Sequence, residues 1–142
     1  MSKAVFPPEA VGLRAAAIEA MRQAYAPYSR LAVGAAILAT SGEIFAGCNV
    51  ENAAFPVGLC AEATALGALV TRLGGTRVRA ALVIVEGPEK AWPCGACRQR
   101  LWEFALADTV VYATTLAGEW SSRPLVQLLP LGFGPHNLKT SE

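Results

Sequence analysis

The sequence of 142 residues is short of charge: Asp, Glu, Lys and Arg make up 16% of it and leave a formal net charge of +1, against about 25% charged residues in an ordinary globular chain. It has no run of Lys or Arg, so it lacks the clustered positive charge that releases counterions from a nucleic-acid backbone. No polynucleotide partner is expected. Long hydrophobic runs are missing too. The longest apolar stretches, residues 80–85 and residues 31–39, the latter broken by Gly34, fall far below the roughly 20 residues that span a bilayer. Residues 1–12 carry one Lys and then Pro7-Pro8, with no continuous apolar core of a secretory signal. A cytoplasmic chain with no membrane partner is expected. The single histidine, His136, sits in a polar tail, where it is expected to face solvent and not a metal.

What is present in excess is apolar surface, with 54% hydrophobic residues. The length suits one domain over residues 1–142, and one small domain cannot hide that much apolar surface alone, so a homo-oligomer is expected. Four cysteines in a reducing compartment point to metal binding or catalysis more than to disulfides.

Periodicity places the elements. From residue 8 to about 26, Val11, Ala15, Ile18, Met21 and Tyr25 recur at steps of three and four, one face of a helix that Ala26-Pro27 ends. Residues 31–40 and 43–50 are apolar and β-favouring and flank Ser41-Gly42, a two-residue turn signal, which predicts a hairpin. A second helix runs from near Cys60 to Leu73 and stops at Gly74-Gly75, where glycine supplies a left-handed cap. Residues 77–85 read as a strand buried on both faces. Pro93 introduces a third helix with Cys97, Leu101 and Phe104 inward, residues 109–114 form another strand, and residues 119–142 give a weak strand or loop, a helical turn around 125–129 and a Gly/Pro-rich tail. A hairpin followed by alternating strands and helices predicts an α/β sandwich, one mixed sheet with helices on both faces.

Three cysteines resist explanation as core packing. Cys94 and Cys97 form Pro93-Cys94-Gly95-Ala96-Cys97, and two sulfurs three residues apart at a helix point to one side, as a tetrahedral metal requires. Cys60 lies upstream at the start of the previous helix, followed by Ala61-Glu62. Three thiolates leave the fourth zinc position open, the arrangement of a catalytic site. Residues two apart on a regular helix point about 200° away from each other, so Cys60 and Glu62 converge only if Cys60 sits at the cap. A carboxylate there takes a proton from water that the metal acidifies and passes it on. Three thiolates around a divalent ion leave a net negative charge that weakens the metal as an acidifier, so Glu62 matters more here than beside neutral imidazoles. A CxxC pair alone is equally a redox or structural motif; Cys-Ala-Glu upstream of Pro-Cys-Gly-Ala-Cys is the signature of zinc deaminases. Cys48 is expected to be an ordinary buried thiol.

These motifs, together with Ala24-Tyr25-Ala26-Pro27-Tyr28-Ser29, Gly47-Cys48-Asn49-Val50-Glu51-Asn52-Ala53-Ala54 and Pro93-Cys94-Gly95-Ala96-Cys97-Arg98-Gln99, resemble the small homotetrameric, three-cysteine cytidine deaminases. The likeness runs in order from Val11 to Phe133. It implies a three-layer α/β/α sandwich around a mixed five-stranded sheet and one zinc per subunit, held by Cys60, Cys94 and Cys97. Glu62 is then the proton shuttle, and active sites are completed by neighbouring subunits of a homotetramer. It assigns Asn49 and Glu51 to the sugar, and alternate residues of a strand do share a face; a turn-forming cluster is the plainer alternative. Ala61 and Leu31 join the substrate-binding set. Phe133 matches an aromatic residue that reaches a neighbour's pocket, although a core role fits the sequence as well.

The chain departs from the family at two positions. Ala63 stands where an Arg often neutralises the thiolates, so compensation is expected from the two helix N-termini and Arg98. Leu31 stands where an aromatic residue often meets the base. The implied reaction is hydrolytic deamination of cytidine or deoxycytidine at C4, giving uridine or deoxyuridine and ammonia, with a pyrimidine nucleoside as the small-molecule partner. The alternatives are another cytosine-containing substrate such as blasticidin S, against which Glu51 argues, and a non-catalytic zinc module, against which Glu62 argues.

Overall fold

Two glycines set the spacing of the layers. In the computed structural model, which describes residues 5–138, strand β1 (Val33–Ala39) carries Gly34, and a Cβ there would lie 2.0 Å from the Ala17 carbonyl oxygen on helix α1 (Pro8–Met21). On the opposite side, strand β2 (Ile44–Cys48) carries Gly47, whose Cβ would lie 2.2 Å from Thr64 Oγ1 on helix α2 (Ala61–Leu73). Any larger residue would push a helix off the sheet, so glycine here is a matter of clearance.

The rest of the sheet is strand β3 (Val78–Val85), strand β4 (Ala105–Thr115) and strand β5 (Trp120–Pro124), with helix α3 (Gly95–Glu103) between β3 and β4 and the short helix α4 (Leu125–Leu128) after β5. The strand order is β2-β1-β3-β4-β5, antiparallel except for the parallel pair β3 and β4. Parallel neighbours need a crossover, and α3 supplies it. Side chains alternate across the sheet. Ala36, Leu82, Ile84 and Tyr112 pack with Ala10, Leu13, Ala17 and Met21 of α1. Ala35, Ile37, Ala81 and Val111 pack with Ala65 and Leu69 of α2, Leu101 of α3 and Leu125 of α4. The expected mixed five-stranded sheet with helices on both faces is what the chain forms.

Several details differ from the sequence reading. Helix α1 ends at Met21, short of Ala26, and its inner face is Ala10, Leu13, Ala17 and Met21, while Val11 and Tyr25 are exposed. Alanines on every side of this helix blur its apolar stripe. The hairpin turn is residues 40–42 and not two residues: Gly42 N–H donates to Ala39 O, Ala39 N–H to Glu43 O, and Gly42 takes φ +92°. A turn closed by a left-handed glycine is the usual three-residue hairpin loop. Strand β4 begins at Ala105, its pairing with β3 shifting between Val78 and Ala80. Cys48 is half-buried and not buried, and His136 is exposed, as expected. The predicted tail runs past residue 138, and that part lies outside the described residues.

Candidate metal and substrate site

Helices α2 and α3 both begin with a cysteine. Cys60 is the N-cap of α2 with φ −72° and ψ 156°, and Cys94 the N-cap of α3 with φ −64° and ψ 167°. Both are extended, so Cys60 lies outside helical geometry, as convergence with Glu62 requires. Neither side chain caps its helix, which leaves both sulfurs free for another partner. Cys97, fully buried one turn into α3, completes a trio whose sulfurs all lie within 4.8 Å of one another.

The donor set fits zinc. Metal–sulfur bonds of about 2.3 Å in a tetrahedron put sulfurs about 3.8 Å apart, and Cys60 Sγ lies 3.8 Å from Cys94 Sγ. Burial raises the thiols of Cys60 and Cys97 above the ordinary cysteine value. At Cys94 burial pushes the same way but is outweighed by hydrogen bonds from the Cys97 backbone N–H and the two neighbouring thiols, which draw it down.

Glu62, in the first turn of α2, is 5% exposed. Burial raises its carboxyl above the usual carboxylate range, against hydrogen bonds from its own N–H and the Cys97 thiol and the pull of Arg100. It lines a cavity of about 690 Å³ together with Cys60, Cys94, Ala61, Leu31, Asn49 and Glu51. That volume lies in the range of small-molecule sites.

Asn49 and Glu51 lie just beyond the end of β2 and not within it. The chain stays extended there because Val50 pairs with Tyr25 on one side and Leu59 on the other, which preserves the alternation that puts residues 49 and 51 on one face. Asn49 Oδ1 accepts from the Val33 N–H at 2.9 Å and Nδ2 donates to Leu31 O at 2.8 Å. The Glu51 carboxylate accepts from the N–H groups of Tyr28 and Ser29, each at 3.0 Å, and from the Ser29 hydroxyl. The Ser29 bonds hold it below the usual range. Both side chains are thus fixed by the loop before β1 and the first residue of that strand, and retain lone pairs, and Asn49 one N–H, for a ligand.

Phe133 does not line this cavity; it is 58% exposed, and its carbonyl accepts from Gln99 Nε2 at 2.8 Å. The charge-compensating role expected of Arg98 has no geometric support. Its guanidinium donates to Pro93 O at 2.7 Å and Leu128 O at 2.9 Å, tying α3 to α4. The sequence reading left Ser29, Trp92 and Arg100 without roles. Ser29 orients Glu51 and Trp92 lines the cavity, and only the tertiary fold brings them there.

Residues 11–114 match the family model described as the cytidine and deoxycytidylate deaminase zinc-binding region. A curated cytidine deaminase of Sporosarcina psychrophila is 44% identical over 123 residues, 84% of this chain and 88% of that protein. Among solved structures, a cytidine deaminase of Burkholderia pseudomallei superposes with a TM-score of 0.80 at 39% identity, covering 87% of this chain and 98% of its own. One of Mycobacterium tuberculosis gives 0.78 at 37%, covering 90% and 99%. The fold and the sulfur cluster define a zinc-binding α/β protein with an open cavity beside the metal position. The chain belongs to the cytidine and deoxycytidylate deaminase family.

Proposed function

We infer that the chain catalyses zinc-dependent hydrolytic deamination of cytidine and deoxycytidine. The observation that carries this reading is a buried carboxyl, Glu62, lining one cavity together with two of three convergent thiols and with Asn49 and Glu51. Cys60, Cys94 and Cys97 would hold zinc, which supplies Lewis acidity that lowers the pKa of water from 15.7 toward about 7.

Glu62 does the proton work. One carboxylate oxygen accepts a proton from the attacking water and donates it to the ring nitrogen next to C4; a second proton passes by the same route to the departing amine. Water adds at C4, the bond from C4 to the exocyclic amine breaks, and the products are the uracil nucleoside and ammonia. Burial raises the carboxyl above its usual range and so strengthens the carboxylate as the base that takes the proton from water. Asn49 and Glu51 bind sugar hydroxyls, the amide N–H donating and the carboxylate accepting. Ala61 and Leu31 give the base apolar walls, Leu31 without the stacking an aromatic ring would add.

We place Phe133 in the site of a neighbouring subunit of a homotetramer. Its exposure, with that of Phe55 at 73% and Leu131 at 104%, supports a subunit interface. All four cysteines are free thiols, which suits a reducing cytoplasm, and no helix of the described residues is long and apolar enough to cross a membrane.

Ammonia release with cytidine, deoxycytidine, cytosine and blasticidin S, against a Glu62→Ala control, tests the reading. Turnover of the two nucleosides alone, lost in the control, is expected, from particles of four chain masses by light scattering. Turnover of blasticidin S alone, or none by zinc-loaded protein, rejects it.

A further inference from the structure

A zinc ion with three thiolates carries one net negative charge, and Glu62 adds another when ionised. With Cys97 and Glu62 buried and only Cys60 and Cys94 in partial reach of solvent, that negative charge has to be offset, or both the metal and the last thiolate bind weakly. Two sources of positive charge are built into the backbone, the N-termini of α2 and α3, which begin at the ligands Cys60 and Cys94. Partial dipole charges of this size offset only part of the excess. The residue after Glu62 is Ala63, so the first turn of α2 brings no cation.

The side chains of α3 differ in what they do. Arg98 is spent on the carbonyls of Pro93 and Leu128. Arg100 lies one turn after Cys97 on the same helix face, and its Nη1 donates to Cys97 Sγ at 3.7 Å. Among the described residues it is the one cationic side chain with a hydrogen bond to a ligand sulfur. We propose that Arg100 is the charge-compensating residue of the metal centre, a positioning residue that donates to the Cys97 sulfur and makes a three-thiolate zinc site tenable in a chain with alanine at position 63. A guanidinium stays charged under all conditions and can serve sulfur and carboxylate together, which an ammonium does less well.

The proposal rests on zinc at the three cysteines, and the test separates the two. Wild-type protein, R100Q, R100K and R22Q on an exposed end of α1 are titrated with zinc against a chromophoric chelator, and their cobalt-substituted forms are compared by absorption spectroscopy. If wild type binds no zinc, the zinc reading itself fails. If it binds, R100Q is expected to bind about 10-fold more weakly, R100K within about 3-fold of wild type because charge is kept, and R22Q unchanged. A sulfur that loses a hydrogen bond from a cation holds its electrons less tightly, so the thiolate-to-cobalt band of R100Q moves to longer wavelength. Zinc affinity and band position of R100Q equal to wild type overturn the proposal. So does an equal loss of affinity in R100Q and R100K with an unshifted band, which marks a packing role.

Discussion

The two faces of the sheet are built alike and used differently. Each receives a helix at a glycine, α1 at Gly34 and α2 at Gly47, and each buries one titratable group to 5% exposure, Tyr112 on the α1 face and Glu62 at the start of α2. Tyr112 is closed off: its hydroxyl donates to Glu9 at 2.8 Å, and burial drives its pKa well up. Glu62 opens onto a cavity beside three thiols. A buried polar group with a protein partner is architecture, whereas one facing a cavity has capacity left for a ligand. Burial and shifted pKa alone do not separate the two.

The contrast is broken most sharply at Glu62. E62Q keeps the shape and removes the transferable proton, so kcat for cytidine is expected to fall about 10⁴-fold, the upper end for general acid–base catalysis, with zinc still bound one per chain by metal analysis. Y112F, on the opposite face, should leave kcat unchanged.

Next in size are the glycines. G34A and G47A each force a Cβ against helix atoms at 2.0 Å and 2.2 Å, and each is expected to lose about 3 kcal/mol in denaturant unfolding. Only G47A shifts α2, which carries Cys60 and Glu62, so only G47A should also weaken zinc binding and lower kcat of the folded protein. Equal activity in both would show that the helices adjust without moving the site.

A smaller effect is expected at Glu51, proposed to bind the sugar. E51Q loses a charged acceptor, so KM should rise about 10-fold with kcat little changed. Because Ser29 holds the Glu51 carboxyl below its usual range, the group is ionised at neutral pH and loses its charge only as pH falls below that range. Wild-type KM attributable to this contact should therefore stay flat from pH 8 down to about pH 5.

The three-cysteine cluster, and the position of Glu62 beside it, were legible because metal chemistry tolerates few residue types and fixes their spacing: a sulfur at a helix cap, another one turn on, a carboxylate two residues past a cap. The second helix was readable from its Gly74 stop, and β3 from its unbroken apolar run. Other features were hidden for definable reasons. In α1, Ala15, Ala16 and Ala17 sit beside Ile18, so several registers look equally apolar, and only contact with Gly34 selects Ala17. Tyr25 looks like a continuation of the helix but is taken into a bridge with Val50, a pairing between distant segments. Arg98 and Arg100 are two residues apart in sequence and point in different directions on a helix. Arg100, three residues after Cys97, reaches its sulfur, while Arg98 meets the carbonyls of Pro93 and Leu128, partners that only the folded chain supplies.

The pairing of Val50 with Leu59 joins the residue before Glu51 to the residue before Cys60 through two backbone hydrogen bonds of 2.9 and 2.8 Å. The site therefore contains a ruler made of main chain. Under the proposed function one jaw meets the sugar and the other the reacting carbon, and the main-chain link between them is the same whichever side chains occupy positions 50 and 59. Such a gauge selects a molecule by its span, and under the proposed function a free base is expected to bind less well than its nucleoside. The walls between the jaws, Leu31 among them, are then free to vary.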